Sequence, residues 1–131
     1  MDQTLKLKLR EFKQALDTLF KALKVRKSEL VRDSVIKRFE YTYEILWKCA
    51  KIFLSDKYGI EVFSPKDCFR ALKKVGLIKE RETELFLEMV DDRNEIIHTY
   101  KEKFSEYLYK KIKKNYFVMM DNIYKIIKNN I

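Results

Sequence analysis

At 131 residues the chain is long enough to bury one respectable core and too short to divide into two, so a single domain over 1–131 is expected. With 47% hydrophobic residues, only two glycines and one proline, the composition disfavours disorder, long loops and sheet-rich folds. Lys and Arg total 29 against 20 Asp and Glu, and this net charge of +9 favours a polyanionic partner, RNA, DNA or an acidic protein, although Lys-rich composition also serves solubility.

Cys49 and Cys68 lie far apart and fit neither a metal-ligand spacing nor a disulfide framework, so they read as reduced core residues. The N-terminus lacks an unbroken apolar run, and no later stretch approaches the roughly 20 apolar residues of a membrane span. A soluble, cytoplasmic protein without a membrane partner is expected.

Leu5, Leu9, Phe12, Leu16, Leu19 and Leu23 alternate four- and three-residue spacings, which makes one apolar stripe on a first helix from about Thr4 to Lys24. Ser28 caps a second helix whose apolar positions include Val31, Val35, Phe39, Tyr43, Leu46, Trp47, Ala50, Phe53 and Leu54. A face that wide must meet more than one neighbour, so this helix, closed at Tyr58-Gly59, is central or dimer-forming. On its polar side Arg38, Glu40, Glu44 and Lys48 either pair at the surface or, in the case of Arg38 and Glu44, line a cleft shared with the only histidine, His98.

Ser64-Pro65-Lys66-Asp67 is a helix start, with Ser as N-cap, Pro at the first helical position and an acid in the first turn. That short helix ends near Lys74, and Gly76 supplies the left-handed residue that closes it. A further helix from about Glu80 buries Leu85, Phe86, Met89, Val90, Ile96 and Ile97 and runs into Asp91–Tyr100. The last helix carries Phe104, Leu108, Ile112, Tyr116, Met119, Ile123 and Ile127 on one stripe, widened by Tyr107, Phe117 and Ile126. Its basic run Lys110–Lys114 is a solvated face or a phosphate track. The sum is an all-α, up-and-down bundle of four to five helices.

No Gly-rich phosphate loop occurs, and Asp91-Asp92 lacks the spaced carboxylates of a two-metal nuclease, so no metal or cofactor is implied. The residues left for chemistry are Arg93, Asn94, His98 and Tyr100. On a straight helix Asn94 and His98 share a face, whereas Arg93 and His98 lie about 140° apart. A helix end or a second copy of the chain would be needed to bring the last two together. An imidazole takes or gives a proton near neutral pH, and a guanidinium holds a phosphate and offsets the charge that builds on it. Together they suffice for metal-independent cleavage of RNA, with the 2′-hydroxyl as nucleophile. Taken alone, a histidine beside Ile96-Ile97 is more often a helix-end residue bonded to backbone than a catalytic one.

The string Arg93-Asn-Glu-Ile-Ile-His98-Thr-Tyr100 resembles the Arg, four residues, His, any residue, Tyr motif of HEPN-domain proteins. Arg38-Phe-Glu-Tyr-Thr-Tyr-Glu44-Ile-Leu-Trp-Lys48 is similar to the signature of one branch, the nucleotidyltransferase substrate-binding proteins or HepT-like toxins. The resemblance implies a homodimeric helical bundle whose partner is a minimal nucleotidyltransferase acting as antitoxin. It implies that Arg93 and His98 are catalytic in an RNA endonuclease, that Asn94 supports them, and that Tyr100 accepts AMP from the antitoxin. Phosphate added beside the cleft would repel RNA. The older family name implies a different function, a non-catalytic subunit that presents substrate to the nucleotidyltransferase.

Overall fold

A computed structural model describes residues 3–99 and 101–131, and among them all regular structure is helical. Helix α1 (Gln3–Lys24) buries Leu5, Leu9, Phe12, Leu16 and Leu19 as its spacing predicts, together with Ala15 and Ala22. Helix α2 (Glu29–Tyr58) starts where the Ser28 hydroxyl accepts the Val31 N–H at 3.1 Å. It stops at Gly59, whose φ of 66° is the left-handed conformation that favours glycine. Helix α2 packs on α1, on α3 (Pro65–Lys74) and on the two helices of the last rod, so its wide apolar face is covered from several sides.

Helix α3 begins on the Ser64 cap and pairs with α4 (Glu80–His98) through Phe69 and Phe86, whose rings stack at 4.6 Å. Gly76, at φ 82°, turns the chain between them, and the Glu82 carboxylate accepts the Lys79 N–H to start α4. Along α4, Phe86, Met89 and Val90 are buried as expected, but Ile97 is 60% exposed. It lies on the same side of α4 as the buried Phe86 and Val90, in the last turn of the helix, where that side is left uncovered.

The final helix departs from the single stripe read in the sequence. It consists of α5 (Glu102–Lys111), a π-helical turn (Ile112–Tyr116) and α6 (Phe117–Asn129). Leu108, Ile112, Tyr116 and Met120 are all buried at successive four-residue steps, which would drift about 40° per step around a 3.6-residue helix. The π turn absorbs that drift by inserting one residue. The side chain that reaches the core beyond it is therefore Met120, fully buried, and not Met119, which is only half-buried. Within this core Tyr116 stacks on Phe39 of α2 at 5.7 Å, and Tyr124 meets Phe12 of α1 edge to face.

Met120→Ala is expected to cost about 2–5 kcal/mol in urea unfolding, and Met119→Ala about 1 kcal/mol or less. Equal losses would mean that the π turn does not set the register of α6.

Candidate functional site

Three consecutive residues near the end of α4 each bind a different element. The Asp91 carboxylate meets Lys66 Nζ of α3 at 2.7 Å. Asp92 accepts the Tyr107 hydroxyl at 2.9 Å and the Tyr116 hydroxyl as well, which ties α4 to the last rod. The guanidinium of Arg93 lies 3.4 Å from Glu44 of α2 and over the Tyr43 ring at 5.7 Å. Residues one apart on a helix project about 100° from each other, so these anchors hold α4 on two of its sides.

The electrostatics follow from that packing. Partial burial and the bond to Asp92 push the Tyr107 hydroxyl up to about 12, so at neutral pH it stays a proton donor. The Tyr116 hydroxyl is raised further by the same two causes. Burial also raises the Tyr43 hydroxyl, against the opposing charge of Arg93. Among the described residues, Arg93 Nε and the Tyr43 hydroxyl are buried without a hydrogen-bond partner.

Helix α4 remains intact through His98 and ends at Thr99, whose backbone is extended (φ −143°, ψ 139°). No helix end thus falls between Arg93 and His98. Arg93 turns in toward α2, whereas His98 is exposed in the last turn with exposed Asn94 one turn before it. The protomer does not bring Arg93 and His98 together. Tyr100 lies outside the described residues. Glu44 meets Arg93 directly, but Arg38 points its Nε to Ser34 Oγ at 3.0 Å and borders a separate cleft with Thr18 and Lys21 of α1.

The corner after α4 is pinned by a buried cation absent from the apolar pattern. Arg32 of α2, 4% exposed, meets Asp33 and Glu106 at 3.0 Å and also Glu102, so the first turns of α5 are fastened to the first turn of α2. Lys27 adds a contact to Glu106. These two cations hold the Glu106 carboxyl below its ordinary value of 4.5. Beside the corner opens a cleft of about 390 Å³, lined by Arg32, Ile36, Glu40, Ile96, Thr99 and Glu102 among others. Sequence reasoning passed over Asp92, Tyr116 and Arg32. The available signals were a tyrosine in an apolar stripe, an arginine one residue after Val31, and acids four apart at Glu102 and Glu106.

Among the described residues no group of three or more His, Cys, Asp or Glu side chains is placed to hold a metal ion, and no helix is long and apolar enough to cross a membrane. The arrangement offers a held guanidinium and an exposed imidazole on different sides of one helix end.

Residues 7–129 match the family described as nucleotidyltransferase substrate binding protein like. A Thermus thermophilus protein of known crystal structure is 35% identical, with a TM-score of 0.83 over 89% of this chain and 98% of that one. A tri-AMPylated Shewanella oneidensis HEPN toxin in complex with MNT antitoxin has a TM-score of 0.78 at 18% identity, covering 98% and 99% of the two chains. A toxin-antitoxin MntA-HpeT mutant has a TM-score of 0.79 at 17% identity over 98% and 99%. No curated protein matches.

Because the Glu106 carboxyl is held low in the folded chain, its contribution to stability is complete above its ordinary value and is lost as pH falls through the folded value. Between about pH 5 and pH 3 the denaturation midpoint of wild type is expected to fall more steeply than that of Glu106→Gln. Parallel profiles would show that Glu106 is not ion-paired in solution.

Proposed function

The chain belongs to the nucleotidyltransferase substrate-binding protein-like family, with a HEPN-like fold, and from that premise we propose that it is a HepT-like toxin, a cytoplasmic, metal-independent RNA endonuclease. The observation that carries the reading is the pair of motif residues around the end of α4. Arg93 is held in place by Glu44 and Tyr43 with its Nε–H unused among the described residues, and His98 is presented to solvent beside Asn94. The net charge of +9 suits an RNA substrate.

In this reading His98 takes the proton of a ribose 2′-hydroxyl, the freed oxygen attacks the adjacent phosphorus, and the 5′-oxygen leaves with a proton. A 2′,3′-cyclic phosphate remains on one fragment. Arg93 offsets the charge that builds on the phosphate, exchanging its Glu44 partner for a phosphate oxygen, and Asn94 orients the sugar or phosphate. Arg93 and His98 diverge by about 140° on an unbroken helix, so a homodimer with Arg93 of one copy facing His98 of the other completes the site. The partner is a minimal nucleotidyltransferase antitoxin, which silences the cleft by adding AMP to Tyr100. The tri-AMPylated state of the structurally similar Shewanella oneidensis toxin supports this by analogy. The family's own description favours a second reading, a non-catalytic subunit that binds substrate for the nucleotidyltransferase.

Expressed alone, the chain should arrest growth, and purified it should cut RNA but not DNA in EDTA, leaving cyclic phosphate ends. Arg93→Ala and His98→Ala are each expected to slow cleavage by about 10²–10⁴-fold. Wild-type rates in both variants, or no growth arrest together with altered activity of the nucleotidyltransferase on mixing, would favour the binding subunit instead. Mass spectrometry of the co-expressed pair should place AMP on Tyr100. AMP confined to other tyrosines would refute that assignment.

A further inference from the structure

Helix α2 continues beyond Glu44 with a strip of side chains that the cleavage chemistry does not use. Phe63, in the connection between α2 and α3, is 80% exposed. The ammonium of Lys51 sits over its ring and over the ring of Trp47, at 5.9 Å from each centroid. Trp47 Nε1 donates to Glu44 Oε2 at 3.3 Å, and the other oxygen of Glu44 meets Arg93 at 3.4 Å. A continuous series of contacts therefore leads from an exposed aromatic face to the guanidinium of the candidate site. Tyr41, 58% exposed, stands nearly one turn before Glu44 on the same helix.

The charges along this strip suit an anion. Glu44 is already engaged by Arg93 and by Lys48, at 3.4 and 3.8 Å, and Asp91 by Lys66. Among the described residues no carboxylate pairs with Lys51, whose neighbours are the two rings. Aromatic faces alternating with lysines match a strand whose bases and phosphates alternate. They match an apolar protein surface less well, because lysine is depleted from the cores of protein interfaces. From Glu44 to Lys51 the helix rises about 10 Å, the length of about three stacked nucleotides at roughly 3.4 Å per strand step.

We propose that the strip from Phe63 through Lys51 and Trp47 to Arg93 is a track for single-stranded RNA. Phe63 stacks a base, Lys51 and Lys48 meet backbone phosphates, and the strand is delivered with its next phosphate at Arg93. The track rests on the proposed RNA reading and extends it to substrate form: unpaired RNA enters from the α2–α3 connection, and a duplex, its bases already stacked on each other, is a poor ligand.

Trp47 is the only tryptophan of the chain and reports on the strip directly. The full-length chain carrying His98→Ala, in EDTA, is titrated with an oligouridylate about ten nucleotides long while Trp47 emission is followed. The RNA should quench the emission. Phe63→Ala should weaken binding about tenfold, with Phe63→Tyr restoring it. Lys51→Gln should lower the slope of log affinity against log salt by about one, whereas Lys24→Gln, the same charge loss off the strip in the last turn of α1, should leave it unchanged. Thermal unfolding of each variant controls for folding. Wild-type affinity in Phe63→Ala overturns the track, as does loss of nucleotidyltransferase binding in that variant with RNA binding intact. The two proposals separate cleanly. Phe63-dependent quenching in a chain that cuts no RNA keeps the track and removes the nuclease, and His98-dependent cleavage with Phe63-independent binding does the reverse.

Discussion

Asp91, Asp92 and Arg93 hold α4 to three elements at once, and the geometry of the candidate site depends on that constraint. A helix lying on a bundle surface is otherwise free to roll, because apolar contacts are not directional. Here the roll is fixed by an ion pair to α3, two tyrosine hydroxyls from the last rod and an ion pair to α2. Of these, the Asp92 clamp is the most directional, since both donors converge on one carboxylate oxygen and both tyrosines stay protonated. With Asp92 turned to the last rod, Arg93 has to face α2, and Asn94 and His98 are left on the solvent side.

The clamp works only because the last rod contains a π turn. Tyr116 ends that turn, its ring stacked on Phe39 and its hydroxyl on Asp92. One residue fewer in the rod would rotate everything beyond it by about 100° and take Met120, Ile123 and Ile127 out of the core. Thus the same insertion serves core register and site geometry, in keeping with the frequent placement of π bulges at functional positions. The buried Arg32 performs the matching task on the other side of the corner. By gathering Asp33, Glu102 and Glu106, it fixes where α5 departs from the extended backbone at Thr99. Arg32 is the buried member of this cluster and its three acids are partly exposed, so the guanidinium keeps a counter-charge when any one acid is lost.

Much of the bundle was legible in the chain because caps and periodicity are local. Ser28, Gly59, Ser64-Pro65 and Gly76 marked helix ends within a residue or two, and the Leu5–Leu19 stripe named its own buried face. The misreadings share a different cause. A straight helix places Met119 on the core stripe, whereas the run of four-residue steps from Leu108 carries the drift of a π turn. Ile97 continues the apolar side of Phe86 and Val90, but it falls in the last turn of α4, where that side has no cover among the described residues. Arg32 was passed over because a charge among apolar positions is buried only when acids from a distant helix come to meet it.

By itself, then, the sequence determined the helices, their ends, the central place of α2 and the resemblance carried by Arg93, His98 and Tyr100, because each is a statement about residues within a few turns of one another. Only the tertiary structure decided that Arg93 is held by Glu44 and Tyr43, that His98 stays in solvent, and that Arg38 belongs to the α1 side while Glu44 belongs to Arg93. Those outcomes depend on the roll of one helix against its neighbours. The partners that set the roll lie as far as 49 residues from Arg93 in the chain, Glu44 to Arg93, and no local pattern encodes such a pairing.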